Sequence, residues 1–187
     1  VPMRVPVPLD RAYRLLNHGP TTLVSTAHGG RRNVMAAAWV MPLDFQPCKL
    51  AAVVAADTFT RELLDASGTC VVQLPTTAMV DVTYALGSCS GRDGDKFERF
   101  GLVTEPASCV AAPLVTGCAA WLECRVEPQP ALAAAHDLFV LECLAAWADD
   151  RWFVGGEWRF GPGAERTIHH VKGGVFFATG ERVVAAR

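Results

Sequence analysis

Two threonines and an arginine stand where a short helix is expected to begin. They are Thr58, Thr60 and Arg61, and the apolar-periodic stretch that follows them ends at Gly68. Hydroxyl groups and free backbone N–H groups at a helix start form a site for an anion. Arg61 lies where the helix dipole disfavours a cation, so it would stabilise a bound phosphate better than the helix. The alternative is a plain N-cap, with no ligand.

A second polar stretch, from Ser88 to Lys96, has the same character. It combines Ser90 and Gly91 with two basic residues, Arg92 and Lys96. Hydroxyl groups, flexible backbone and positive charge suit a phosphate group. Cys89 lies within this stretch and is a candidate reactive thiol, because the neighbouring cations would lower its pKa.

Several familiar sites are absent from the sequence. No GxxxxGK[ST], GxGxxG or GxSxG pattern occurs, so a P-loop, a dinucleotide-binding βαβ unit and an α/β-hydrolase are not supported. The seven cysteines show no CxxC spacing, and His169-His170 lacks a third ligand, so we predict no metal site. Most of the cysteines sit in apolar runs and are expected in the core.

A hairpin is predicted between Thr22 and Pro47. Its first run is β-branched and apolar, its turn contains Gly29 and Gly30, and its second run carries three adjacent alanines at 36–38. Alanine is depleted in strands, so three together suggest that something flat and large lies against the backbone. The alternative is crowding by a neighbouring helix or strand.

Strand alternation divides the second run of this hairpin into two faces. Asn33, Met35, Ala37 and Trp39 share one face, and Ala38 lies on the other with two valines. Because the valine face resembles core, we expect Ala37 to face a ligand and Ala38 to face the interior.

The composition favours one compact domain, residues 1–187, and excludes several partners. The chain is 51% hydrophobic and carries a net charge of −2, which argues against binding nucleic acid or an anionic membrane surface. No apolar run approaches the ~20 residues of a membrane span. The first residues lack the apolar core of a secretory signal, so we expect a cytoplasmic protein.

The remaining chain reads as strands joined by short helices. Helices are predicted over 9–18, 61–66, 75–86 and 96–100, and strands over 50–56, 69–74, 113–126 and 137–148, whereas 131–135 is left open between helix and loop. Many strands with only short helices between them favour a barrel over a βαβ sheet.

The order of these motifs resembles one family. The motifs are N-x-M-x-x-x-W-x-x-P from Asn33, T-x-T-R-E-L-L from Thr58, S-G-R-D-x-D-K-F from Ser90, G-C-A-A-W-L-E-C from Gly117 and H-D-L-F-V-L-E-C from His136. In this order they resemble the flavin reductase-like, FMN-binding split-barrel family of the flavoredoxin type, over residues 15 to 145.

The resemblance implies a mainly β, six-stranded Greek-key split barrel with short flanking helices, which binds FMN near a homodimer interface. It implies flavin contacts from Asn33, Met35, Ala37, Ala38 and Trp39. It also implies ribityl and phosphate contacts from Thr58, Thr60, Arg61, Ser90, Gly91 and Lys96.

The sequence departs from the family pattern just before His136. Ala134 and Ala135 stand where the family has Gly and Asp, and Leu141 stands where it has Gly before Glu142. His136 is nevertheless our candidate catalytic residue, on the nicotinamide side of the flavin, and a purely structural histidine is the alternative.

The resulting hypothesis is an NAD(P)H-dependent flavin reductase. Hydride would pass from the nicotinamide of NADH or NADPH to flavin, and electrons would continue to free flavin, a partner monooxygenase or ferric iron. One alternative is a non-enzymatic electron carrier reduced by a protein partner. Another is the same barrel holding haem or a different cofactor.

Overall fold

The computed structural model describes residues 4–12 and 19–186. Its helices are α1 (Leu9–Ala12), α2 (Phe59–Ser67), α3 (Val80–Gly87), α4 (Lys96–Arg99) and α5 (Pro130–His136). Its strands are β1 (Arg4–Val7), β2 (Thr22–His28), β3 (Arg31–Ala37), β4 (Val40–Phe45), β5 (Cys48–Val53), β6 (Thr69–Leu74), β7 (Thr104–Glu105), β8 (Leu114–Val115), β9 (Ala120–Glu127), β10 (Leu138–Asp149), β11 (Phe153–Val154), β12 (Glu157–Trp158), β13 (Ile168–Lys172) and β14 (Val175–Ala178).

The predicted hairpin forms from β2 and β3. Thr22 pairs with Ala37 and His28 with Arg31, and the turn between them is Gly29-Gly30. These two glycines have φ of 57° and 76°, the left-handed pair that a two-residue hairpin turn requires. After Ala37 the chain leaves β3 and pairs as β4 with β5 instead.

One large sheet organises the molecule. Its strand order is β3-β2-β6-β9-β10-β5-β4, and β1 pairs with β10 as an eighth strand. β3 and β4 follow each other in the chain but end at opposite edges, so the sheet is open. The mainly β prediction is confirmed, with eight strands in the sheet where six were expected.

Side chains at alternate positions of the central strands pack into two separate hydrophobic cores. Val24, Val72 and Leu122 belong to the first core, together with four buried cysteines: Cys48, Cys70, Cys124 and Cys143. Leu23, Val71 and Trp121 point the opposite way, into a second core that includes Leu86 and Phe97. The short helices α3 and α4 therefore cover one face of the sheet.

Most element predictions hold, with local differences. Helix α1 covers Leu9–Ala12 of the predicted 9–18 helix, and residues 13–18 lie outside the described part of the chain. The strand predicted over 113–126 is interrupted between β8 and β9, where Gly117 has a φ of 90° that a strand cannot accommodate. The segment left open at 131–135 is helical, within α5.

Candidate functional site

A cavity of about 390 Å³ opens where β3 meets the start of α2 and the loop after α3. We call it the polar cavity. It is lined by Asn33, Met35, Ala36, Asp57, Thr58, Phe59, Thr60, Leu86, Gly87, Ser88, Cys89, Ser90, Gly91, Arg92 and Lys96. The structure therefore brings together seven of the predicted binding residues: Asn33, Met35, Thr58, Thr60, Ser90, Gly91 and Lys96.

The start of α2 forms one wall of the polar cavity. Thr58 is its N-cap, and the Thr58 Oγ1 accepts a hydrogen bond of 3.2 Å from the Arg61 backbone N–H. Thr58 therefore acts as an N-cap, and its contact with a phosphate remains a prediction. The Phe59 and Thr60 N–H groups precede the first intrahelical hydrogen bond, which runs from the Glu62 N–H to the Thr58 carbonyl, so the positive end of the helix dipole faces the cavity.

Asn33 and Thr60 form a buried support beneath this wall. The Asn33 Nδ2 donates a hydrogen bond of 2.8 Å to the Thr60 Oγ1, which joins β3 to α2. The Gly91 backbone lies directly against Asn33. A Cβ at Gly91 would collide with the Asn33 Oδ1 and would lie 2.7 Å from the Phe59 Cδ1, so only glycine fits here.

Lys96 places a buried cation at the base of the polar cavity. Its side chain is 3% exposed, and its Nζ donates hydrogen bonds to the Val34 carbonyl at 3.1 Å and the Leu86 carbonyl at 2.7 Å. An ammonium group has three hydrogens, so one remains for a ligand. Burial lowers the pKa of Lys96 because the charged form loses hydration.

Arg92, rather than Arg61, supplies the second cation. The Arg92 guanidinium donates to the Asp57 carbonyl at 2.8 Å and lies over the Phe59 ring. Arg61 points away from the polar cavity, towards Asp65 and Asp137, with hydrogen bonds of 2.8 and 2.9 Å. The structure therefore does not bring Arg61 to the polar cavity, because two carboxylates hold its guanidinium elsewhere, and its phosphate contact remains a prediction.

A second cavity, which we call the apolar cavity, adjoins the first. Its volume is about 270 Å³, and its lining is Thr21, Ala36, Ala37, Ala38, Thr83, Tyr84, Gly87, Ser88, His170, Gly173 and Phe176. Ala36, Gly87 and Ser88 line both cavities, so the two are contiguous. The three small side chains at 36–38 form one side of it.

The expected division of Ala37 and Ala38 between a ligand face and the interior does not hold, because both line the apolar cavity and Ala38 is not buried. Ala37 is 8% exposed and packs in the first core, whereas Ala38 is exposed. The crowding alternative also holds at Ala36, since a Cβ on Gly87 of α3 would lie 3.3 Å from the Ala36 Cβ. The small side chains at 36–38 thus leave room both for the packing of α3 and for the apolar cavity.

Trp39 and His136 lie outside both cavities as the described residues form them. Trp39 is 75% exposed, just before β4. His136 is an exposed residue at the end of α5. The structure brings neither to the other predicted binding residues, so the flavin contact of Trp39 and the catalytic role of His136 remain predictions.

The arrangement suits an elongated ligand with an anionic end and a flat apolar end. Two cations and a helix N-terminus can bind a phosphate in the polar cavity, and hydroxyl groups near them can bind sugar-like oxygens. Within residues 4–12 and 19–186, no group of three or more His, Cys, Asp or Glu side chains is placed to hold a metal ion. Across the same residues, no helix is long and apolar enough to cross a membrane.

Comparison with known proteins agrees with this geometry. Residues 14–155 match the model of the flavin reductase like domain, which is most of the chain. The chain belongs to the flavin reductase-like family. It is 42% identical to the Escherichia coli K12 protein YddH over 184 residues, 97% of each chain.

Solved structures of this family share the fold. One is an FMN-binding domain of a flavin reductases-like enzyme from Shewanella baltica OS155, 42% identical, with a TM-score of 0.95 over 99% of this chain and 98% of that one. Another is the flavoredoxin of Desulfovibrio vulgaris (Miyazaki F), 25% identical, with a TM-score of 0.78 over 90% of each chain. The predicted family and its split-barrel fold are therefore confirmed.

Sequence reasoning missed several lining residues. Arg92 had a signal, because it lies in the stretch from Ser88 to Lys96, which is predicted to bind a phosphate group. His170 and Phe176 had none, since they lie more than 130 residues after the alanines they face and beyond the range of the family model.

Proposed function

We propose that this protein binds FMN and catalyses NAD(P)H-dependent flavin reduction. The supporting observation is the junction of the two cavities at Ala36: a site for an anion continues into a site for a flat ring. Similarity to the FMN-binding Shewanella protein supports the same cofactor. FMN carries one phosphate group and one planar ring system, and it would supply the two-electron redox chemistry.

The residues of this chain would bind and orient the cofactor. Lys96, Arg92 and the first turn of α2 hold the phosphate, and Asn33 keeps Thr60 in place beneath it. Ala36 lets the flat ring approach β3. Hydride transfer needs no proton from a side chain, so the chain acts mainly by placing donor and acceptor at the correct distance.

The test compares two flavins and two nicotinamides. The protein should bind FMN more tightly than riboflavin, because riboflavin lacks the phosphate. The loaded protein should then oxidise NADH or NADPH under anaerobic conditions, with bleaching of the flavin absorbance. Equal affinity for riboflavin and FMN would contradict the phosphate assignment.

Similarity to a protein named flavoredoxin supports a second candidate, an FMN-binding electron carrier that a protein partner reduces. Tight FMN binding without reduction by either nicotinamide would favour this carrier. For the enzyme, the electron acceptor would be free flavin, a partner oxygenase or ferric iron.

We also propose that the protein works as a homodimer. A row of exposed apolar side chains lies along one edge of the large sheet. Trp39, Met41, Leu43 and Phe45, which we call the β4 stripe, are between 49% and 75% exposed. Such a row on an edge strand is typical of a covered surface.

A further inference from the structure

Cys89 lies in the wall of the polar cavity, where reagents in solution can reach its thiol. It is partly exposed, and Cys109 is exposed. The other five cysteines are buried: Cys48, Cys70, Cys118, Cys124 and Cys143. Thiols buried in an apolar core are inert, whereas partly exposed thiols in electropositive surroundings react. Thiol chemistry on the folded chain is therefore expected at Cys89 or Cys109.

The two serines beside Cys89 hold it in this wall. The Ser88 Oγ donates a hydrogen bond of 2.8 Å to the Tyr84 carbonyl, at the end of α3. The Ser90 Oγ accepts a hydrogen bond of 3.1 Å from the Arg92 N–H, at the start of the next turn. Both neighbours of Cys89 are thus tied to the backbone around them, so the position of its thiol in the cavity wall is fixed.

Cations outnumber carboxylates around the Cys89 thiol. Lys96 and Arg92 line the polar cavity, and Asp57 is the acidic residue among the described residues that line it. Burial lowers the pKa of Lys96, and a negative charge on the Cys89 sulfur raises it more than any other charged group does. Lys96 and Cys89 therefore lie close enough to interact, and the cavity attracts an anionic reagent.

Two buried polar side chains in the same cavity fit a ligand. Lys96 is 3% exposed and donates to two uncharged carbonyls, so its third N–H is left for an anion. Asn33 is 2% exposed, and among the described residues its Oδ1 has no hydrogen-bond partner. Buried polar atoms are normally paired, so these groups indicate that the cavity receives a polar, anionic molecule.

Cys109 has the opposite surroundings. Its N–H donates to the Glu123 carboxylate at 2.6 Å, and the Trp147 Nε1 donates to the same carboxylate at 2.9 Å. Loss of hydration and the negative charge of Glu123 raise the pKa of the Cys109 thiol. An anionic reagent is therefore repelled at Cys109 and attracted at Cys89, which makes Cys109 a control within the same molecule.

We propose that Cys89 is a thiolation site, which a small disulfide bearing carboxylates modifies when the polar cavity is free. The Cys89 thiolate attacks one sulfur of the disulfide, so that a new S–S bond forms and the original S–S bond breaks. The other half leaves as a thiolate, which takes up the proton that Cys89 gave. The disulfide is itself the oxidant.

Thiolation of Cys89 and binding of FMN would exclude each other. The attached group places its carboxylate beside Lys96, where the proposed function places the FMN phosphate. This step rests on the proposed function, whereas the reaction of Cys89 with an anionic disulfide does not.

The first experiment uses two disulfides of similar size and opposite charge. They are 3,3′-dithiodipropionate, which ends in carboxylates, and cystamine, which ends in ammonium groups. The full chain is treated with each before FMN is added, and peptide mass spectrometry measures the modification rates of Cys89 and Cys109 in one sample. Each rate is divided by the rate of the same disulfide with a short neutral peptide thiol, which removes differences in intrinsic reactivity.

At Cys89 the normalised rate should be about tenfold higher for dithiodipropionate than for cystamine. At Cys109 cystamine should be the faster reagent. Arg92→Gln, which removes one cation, should lower the ratio at Cys89 about threefold and leave that at Cys109 unchanged. Equal rates at Cys89, the same preference at both cysteines, or an unchanged ratio in Arg92→Gln would overturn the proposal.

The second experiment tests the competition with FMN. Wild type and Cys89→Ser are each titrated with FMN before and after treatment with dithiodipropionate, so that the serine variant corrects for modification of Cys109. Treatment should weaken FMN binding to the wild type about tenfold or more, dithiothreitol should restore it, and treated Cys89→Ser should match untreated Cys89→Ser. Unchanged FMN affinity of the modified wild type would overturn the exclusion.

The two proposals fail in distinguishable ways. If the chain binds no FMN, the proposed function fails, while the charge preference at Cys89, and its slower modification in inorganic phosphate, still test the thiolation site. If the chain binds FMN tightly but Cys89 shows no charge preference, the thiolation site alone fails.

Discussion

At Lys96 one ammonium group serves two purposes. It joins β3 to the end of α3 through two backbone carbonyls, and it places a charge at the base of the polar cavity. The N-cap of α4 is Asp95, so Lys96 does not cap its own short helix. Since the cation is buried and its two described hydrogen-bond acceptors are uncharged backbone carbonyls, an anionic ligand is the natural way to stabilise its charge.

The first prediction concerns pH. Burial lowers the pKa of Lys96 in the unliganded protein, and a bound phosphate favours the charged form. FMN affinity should therefore fall as pH rises through the lowered pKa of Lys96, which lies below the ordinary 10.5, because the neutral amine attracts phosphate less. Riboflavin affinity should stay flat over the same pH range.

A Lys96→Met variant isolates the same charge. It should weaken FMN binding by about 1–3 kcal/mol and should remove the alkaline fall in FMN affinity. Isothermal titration with both flavins measures this. An equal loss for riboflavin and FMN would mean that Lys96 only ties β3 to α3.

Among the elements, β3 shows most clearly how a small residue can serve either packing or a ligand. Ala37, the last residue of β3, is buried in the first core at the edge of the apolar cavity, whereas Ala38, which follows it, is exposed and lines the same cavity. Enlarging each one should therefore have a different result.

Ala37→Leu should destabilise the apo protein by about 1–3 kcal/mol through overpacking. Ala38→Leu should leave apo stability unchanged and should weaken binding of the ligand whose ring occupies the apolar cavity. Chemical denaturation of both variants, beside FMN and NAD⁺ titrations, tests the pair. If Ala38→Leu is the more destabilising variant, the faces are assigned wrongly.

The sequence predicts the elements well and some contacts poorly, for identifiable reasons. Gly29-Gly30 fixes the β2–β3 hairpin, and Thr58 and Gly68 fix both ends of α2, because these are local effects. The faces of Ala37 and Ala38 could not be predicted, because three alanines offer no contrast between apolar and polar.

Contacts between distant parts of the chain are the other limit. The direction of the Arg61 side chain depends on Asp137, which is 76 residues away. The position of the hairpin formed by β13 and β14 likewise depends on residues far apart in the chain, since the His170 N–H donates to the Thr21 Oγ1.

For the whole molecule, the β4 stripe is the feature that a monomer does not explain. We expect a dimer, with Trp39 at its interface. Trp39→Glu should raise the dimer dissociation constant, since burying an unpaired carboxylate costs about 3 kcal/mol or more. Val103→Glu is the control, because Val103 is 67% exposed and lies outside the stripe. Sedimentation across micromolar concentrations measures both; a wild-type monomer there would contradict the dimer.

The strand order also has a consequence for synthesis on the ribosome. The elements around the polar cavity, from β2 to α4, are complete by residue 99. β5, however, pairs with β4 on one side and with β10 on the other, and β10 begins only at Leu138. Until then β5 keeps an open edge, which can pair with another nascent chain. The time that translation takes to reach β10 therefore sets how long a newborn chain is exposed to aggregation.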